Sequence, residues 1–163
     1  MHDGGRDFGP TLSAIPFTKL VSRESLAMKP CRASCAVIVL NCEDIGRSRS
    51  PAFDGEFTWR AVEQAITYYE ELGFFCHNVC NQATAQRRCP PSHLARKLVK
   101  CPVVDGCKDS DREFVLRLAV THGCCFVDNW NYREIGETKQ SLANKIEYIF
   151  DTQGVFVPLR SPS

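Results

Sequence analysis

An α/β domain is the fold class this sequence predicts: a mainly parallel sheet with helices on both faces and a hairpin at its C-terminal end. Three observations predict it. Runs with strand character alternate with runs of helical periodicity along the interior of the chain. The first strand-like run, residues 36–40, is apolar throughout, the pattern of a strand covered on both faces. Two helical stripes stop at Gly73 and Gly123, where a left-handed C-cap suits glycine best. At 163 residues and 18.3 kDa there is room for one domain, and 44% apolar with 24% charged residues is an ordinary globular composition.

Residues 1–30 hold Gly4, Gly5, Gly9, Pro10, Pro16 and Pro30 without sustained periodicity and read as a flexible arm; residues 31–158 read as the domain and 159–163 as a tail. After the strand at 36–40, residues 57–72 place Val62, Ala65, Ile66, Tyr69 and Leu72 on one helical stripe. Residues 74–80 form the second strand. Residues 92–100 read as a short helix with Leu94 and Leu98 on one side, and 101–104 as a third, weaker strand. Ser110-x-x-Glu113 is a capping box that opens a helix to His122. The next strand covers 124–127, and 141–145 reads as helical. Residues 146–150 and 155–158, split by Asp-Thr-Gln-Gly, form the hairpin.

Several function classes drop out early. Twenty Lys and Arg against nineteen Asp and Glu leave +1, so the whole-chain charge does not point to nucleic acid or to an acidic partner. No run approaches the ~18 apolar residues that a membrane-crossing helix needs. Residues 1–29 lack the apolar stretch of a secretory signal, so the expected address is intracellular. Ten cysteines fall short of a disulfide scaffold, which starts at ~8–10% of a chain, and are expected to be small buried hydrophobes. Cys76 and Cys80, four strand steps or ~13 Å apart, are too distant for one zinc. Cys124 and Cys125 face opposite sides of their strand. Cys31 and Cys35 alone have the spacing of half a metal site.

Sites in such sheets form at the carboxyl ends of the strands. The first strand runs into Asn41-Cys-Glu-Asp44, and the fourth into Asp128-Asn-Trp-Asn-Tyr-Arg-Glu134. The capped helix opens with Asp109-Ser-Asp111. Asp111 precedes Phe114, Val115 and Leu118 by three, four and seven residues, so it shares the stripe that faces the sheet and converges with Asp44 and Asp128. Converging carboxylates suit Mg²⁺ or Mn²⁺, which activates water and stabilises charge on a phosphate. The competing reading makes these aspartates loop starters and helix caps. Residues 81–100 add Arg87, Arg88, Arg96, Lys97 and Lys100 with no acidic residue, and Arg47 and Arg49 follow the first strand. A positive groove beside an acidic crevice fits a phosphodiester, although a solvated face reads the same way. No Gly-x-Gly-x-x-Gly or Walker loop follows a strand. Cys42 stands one residue too close to Arg47 for a cysteine-phosphatase loop. His77 and His122 read as structural residues without an obvious partner.

At these residues the chain resembles the NYN-type (PIN-like) ribonuclease domain of the Regnase group, nucleases that often precede a CCCH zinc finger. The stretches that carry the resemblance are Asp111-Arg-Glu-Phe-Val-Leu-Arg-Leu-Ala119 and Gly123-Cys-Cys-Phe-Val-Asp-Asn-Trp-Asn-Tyr-Arg-Glu134. The family pattern is Asp-Asp-Arg-Phe with an apolar helix into Ala, then a strand into Ser-Asn-Asp-x-Tyr-Arg-Asp. The likeness extends over residues 36–158. It implies a three-layer α/β/α PIN-like (Rossmann-like) fold and an endoribonuclease dependent on Mg²⁺ or Mn²⁺. Its substrate would be single-stranded or stem-loop RNA, with the cytoplasm, RNA granules or nucleus as its address.

Position by position, the family's first aspartate falls on Asn41 and its partner asparagine on Asp44. The Asp-Asp pair falls on Asp111 and Arg112, the aspartate after Ser-Asn on Trp130, and the last one on Glu134. Of the four core acidic positions, only Asp111 keeps its carboxylate. The expected catalytic set is Asn41, Asp44, Asp111 and Asp128, with Asp44, Asp109, Asp111 and Asp128 as metal ligands. Arg47, Arg87, Arg88, Lys97, Lys100, Arg112, Trp130, Tyr132 and Arg133 are the expected RNA contacts, the two aromatics stacking on bases. Two other readings stay open. One is a catalytically inactive adaptor for RNA or protein, with Trp130 as plug or platform. The other is a module that binds only protein, a second copy included.

Overall fold

The computed structural model describes residues 37–48, 56–102, 110–132 and 142–162. Five strands, β1 (Val37–Asn41), β2 (Phe75–Asn81), β3 (Leu98–Cys101), β4 (Cys125–Val127) and β5 (Lys145–Ile146), form one sheet in the order β3-β2-β1-β4-β5. Every pairing in it is parallel. The helices are α1 (Cys42–Gly46), α2 (Trp59–Glu71), α3 (Gln82–Arg87), α4 (Ser92–Ala95) and α5 (Ser110–His122). The α/β layout, Rossmann-like in strand order, is therefore the one the sequence predicts.

Period-2 alternation sorts the core into two clusters. Ile38, Leu40, Cys76, Cys80, Cys125 and Val127 face α2, which presents Ala61, Val62, Ala65, Ile66 and Tyr69 to them. Val39, Val79, Phe126 and Cys124 face α5, which presents Val115, Leu116 and Ala119. Cys124 and Cys125 thus do point to opposite faces. Cys42, Cys76, Cys80, Cys101, Cys124 and Cys125 are free and buried, as expected of small hydrophobes.

Both long helices end as their glycines require. Gly73 and Gly123 take φ of 85° and 60°. Each closes a Schellman motif: Phe74 N–H donates to Tyr69 O at 2.9 Å and Cys124 N–H to Ala119 O at 3.0 Å.

Other expectations need correction. Leu94 and Leu98 do not share a helix: α4 is a single turn, and Leu98 opens β3, where Leu98 to Cys101 pair with Asn78 to Asn81. The i,i+4 spacing of two leucines matched a helix, but hydrogen bonding to β2 claimed the segment. Residues 103–104 of the expected third strand lie outside the described residues. Ser110 is already helical, and Glu113 bonds Arg117 one turn on, so no capping box is closed between them. Residues 142–144 are a turn, and Lys145–Ile146 joins the parallel sheet beside β4. The antiparallel ribbon is shorter than expected: β6 (Tyr148–Phe150) and β7 (Phe156–Pro158). The tail is tied down, with Leu159 N–H donating to Glu147 O at 2.7 Å and Arg160 donating to Ala143 O. The arm at 1–30 and Cys31, Cys35 and Arg49 lie outside the described residues. No helix among the described residues is long and apolar enough to cross a membrane.

Gly46 ends α1, and its carbonyl accepts from Thr58 N–H at 2.8 Å just before α2 begins. A Cβ at Gly46 would stand 2.7 and 2.9 Å from Cδ2 and Cζ of Phe57, a buried ring set edge-on to Trp59. Gly46→Ala gains helix propensity but forces that ring out of place, and overpacking of this kind costs ~1–3 kcal/mol. Urea denaturation is expected to show that loss, with partial recovery when Phe57→Leu is added.

Candidate functional site

The strand order reverses between β1 and β4, and an open crevice of about 1090 Å³ lies at their carboxyl ends. Asn41, Glu43, Asp44, Asp111, Arg112 and Trp130 line its floor, with Arg47, Arg87 and Tyr148 among the residues that complete it. Of the three aspartates expected to converge, Asp44 and Asp111 line the crevice, whereas Asp128 is buried and is not among its lining residues.

Asn41, the last residue of β1, is fully buried. Its Oδ1 accepts from Glu43 N–H at 3.1 Å and Asp44 N–H at 3.4 Å, which caps α1. Its Nδ2 donates to Asp128 Oδ2 at 2.6 Å. Asp128, directly after β4, is also wholly buried. Tyr132 OH donates to the same Oδ2 at 2.6 Å, and Trp130 N–H to Oδ1 at 2.7 Å. Both carboxylate oxygens are thus taken by protein donors. Burial, and then the charge of Asp44, push its pKa up to about 6, while the bonds from Tyr132, Asn41 and Trp130 pull the other way.

Asp44 receives Asn129 N–H at 2.8 Å and Tyr148 OH at 2.7 Å, both on Oδ2. Asp111 sits in the first turn of α5, only 8% exposed, on the stripe with Val115 and Ala119. Burial raises its pKa and Glu43 adds to the rise; its own backbone N–H, Arg112 and Asn41 oppose it. Asp109 lies outside the described residues. So do Arg133 and Glu134.

Two site residues escaped the sequence reading. Glu43 reaches across to β2, where Oε1 accepts from Asn81 N–H at 3.3 Å, and its Oε2 pairs with Arg47 at 3.3 Å. Tyr148 closes the far wall through its bond to Asp44. Glu43 could have been found by treating Asn41 as an N-cap, which puts Glu43 in the first turn of a helix. Nothing local marks Tyr148, whose partner is 104 residues away.

The expected RNA contacts scatter. Arg47 and Arg87 line the crevice, and with Arg88 and Thr84 they also surround an adjoining pocket of about 490 Å³. Arg88 is braced by Phe57 O at 3.1 Å and Glu56 at 2.9 Å. Lys97 stands before the start of β3, at the opposite end of the sheet, and bonds Glu70 at 2.7 and 2.8 Å. Lys100 is exposed on the edge strand β3. Tyr132 is fully buried and cannot meet a base. Trp130 packs on the α5-side core, and the Arg112 guanidinium lies 3.2 Å from its ring centre, so that face is already covered. His77 and His122 do have a partner, each other, stacked at 4.7 Å between centroids.

A resident divalent ion fits these residues poorly. Asp128 has no oxygen to offer, Oδ2 of Asp44 is doubly bonded, and Arg112 brings positive charge beside Asp111. Among the described residues no three His, Cys, Asp or Glu side chains are grouped to hold a metal. The chain matches no family model and no curated protein.

The raised pKa of Asp128 has a definite sign. Between the ordinary 3.8 and about 6 the folded state keeps a proton that the unfolded chain has lost, so this group makes stability fall as pH rises through that window. Urea midpoints measured from pH 4 to pH 7 are expected to carry this component in the parent protein and to lose it in Asp128→Asn.

Proposed function

We propose that this is an RNA-binding domain of the NYN-type, PIN-like lineage, which grips a sugar-phosphate strand in the crevice at the switch point of the sheet. The supporting observation is the meeting, in one open crevice, of guanidinium groups with an acidic and amide floor. Arg47, Arg87 and Arg112 line it together with Glu43, Asp44 and Asp111. Phosphate oxygens suit the guanidiniums, whose planar forks bind them in pairs, and the floor offers acceptors for ribose hydroxyls. Thr84, Arg87 and Arg88 extend the positive wall into the adjoining pocket, so a strand of more than one nucleotide has a continuous path. Binding is favoured over cleavage because most of the carboxylate oxygens are engaged by protein donors.

Metal-dependent hydrolysis of the phosphodiester is the second reading. Asp111 favours it: this carboxylate keeps the family position and lines the crevice. No step is assigned to the ion, since the floor does not supply a cage for one.

Fluorescence anisotropy with a labelled single-stranded RNA tests the first reading. Affinity is expected to fall with salt, and Arg87→Ala to weaken binding and reduce the log–log salt slope by ~0.7, one phosphate contact on a single strand. Uncut RNA after incubation with Mg²⁺ or Mn²⁺ supports binding alone. Cutting that Asp111→Asn abolishes establishes the second reading, and salt-insensitive or absent binding overturns both.

A further inference from the structure

We propose that the pocket beside the crevice, bounded by Arg47, Thr84, Arg87 and Arg88, docks the terminal phosphate of an RNA strand whose next nucleotides lie in the crevice. The inference rests on the RNA-binding reading above and adds to it the recognition of a strand end.

The two cavities are joined but differ in charge. Arg47, Thr84 and Arg87 line both. The crevice also holds Glu43, Asp44 and Asp111, whereas among the described residues no carboxylate lines the pocket of about 490 Å³. An internal phosphodiester carries a single negative charge. A terminal phosphomonoester carries ~1.5 to 2 near neutral pH, and it has a further oxygen to accept hydrogen bonds. The more highly charged group belongs where guanidiniums meet without carboxylates, and the diester with its ribose hydroxyls belongs over the acidic floor.

The pocket's side chains are positioned, yet keep donors for a ligand. Arg87 spends only its Nε, on Ala83 O at 3.3 Å, and its two terminal amino groups have no partner among the described residues. Arg88 is held by the segment that leads into α2. Its Nη1 donates to Phe57 O at 3.1 Å and its Nη2 to Glu56 Oε2 at 2.9 Å, while its carbonyl accepts from Trp59 Nε1 at 2.7 Å. Arg47 gives Nε and Nη2 to Glu43 and retains Nη1. Thr84 is only 4% exposed, and its hydroxyl has no hydrogen-bond partner among the described residues. A hydroxyl so placed donates to a phosphate oxygen without giving up a bond of its own.

Anisotropy titrations on the full chain test this with one short single-stranded RNA, internally labelled, in three forms: 5′-phosphate, 3′-phosphate, and hydroxyl at both ends. One phosphorylated form is expected to bind about tenfold more tightly than the hydroxyl form, and which one it is identifies the end that docks. Arg87→Gln, Arg88→Gln and Thr84→Val are each expected to shrink that ratio. Acidification through pH ~6 is expected to shrink it in the parent, because the monoester then loses its second charge. Circular dichroism confirms folding of each variant, and the parent's ratio and its pH dependence carry the test if a variant unfolds. Equal affinity for the three forms, or a ratio that every folded pocket variant keeps, overturns the proposal and leaves the RNA reading in place. A parent protein that binds none of the three overturns both.

Discussion

The hydrogen bond from Asn41 Nδ2 to Asp128 Oδ2, 2.6 Å long and fully buried, joins the ends of β1 and β4 at the point where the sheet changes direction. An asparagine is required there because its amide must act in both senses. Its oxygen receives the first N–H groups of α1 while its nitrogen donates to the carboxylate. An aspartate at position 41 could still cap α1, but it would place a second buried carboxylate against Asp128 with no proton between them. The two residues are therefore complementary. The negative charge of the pair stands at the end of β4, under the Tyr132 hydroxyl and the Trp130 backbone N–H.

That arrangement decides which acids can meet a ligand. Asp128 is a positioning residue: it holds Asn41, Tyr132 and the turn that carries Trp130. Asp44 is half committed, since its bonds to Asn129 and Tyr148 hold the far wall of the crevice to α1. Asp111 is the acid that α5 delivers to the crevice, where its own backbone N–H and Asn41 favour its charged form against the cost of burial. Burial of Asn41 and Asp128 is tolerated because each is paired, and unpaired buried carboxylates are among the costliest groups a fold can carry.

Much of the fold was legible because it rests on local rules. Gly73 and Gly123 end helices through backbone geometry that few other residues adopt, and the stripe of α2 needed only its own periodicity. Cys124 and Cys125 were readable from the two-residue period of a strand. What stayed hidden depends on partners distant in sequence. Leu98 becomes a strand only because β2 offers it hydrogen bonds, and Lys145–Ile146 only because β4 does. The short helices α1 and α3 were missed although Asn41 and Asn81, each ending a strand, cap them with their own side chains. The site was half legible for the same reason. Asp111 followed from helical spacing, whereas charge counting could not separate Arg87, on the crevice, from Lys97, bonded to Glu70 at the other end of the sheet.

The stacking of Arg112 on Trp130 connects these observations into one electrostatic argument. A crevice lined by Glu43, Asp44 and Asp111 repels phosphate unless positive charge is held close to it. Flexible rim arginines answer this weakly, because each must give up rotamer freedom, and Arg47 already spends part of its charge on Glu43. The Arg112 guanidinium, stacked on a core-packed indole, has already lost that freedom in the folded state. Arg112 and Trp130 thus act together: the indole packs on the α5-side core, and the guanidinium stacks on the indole.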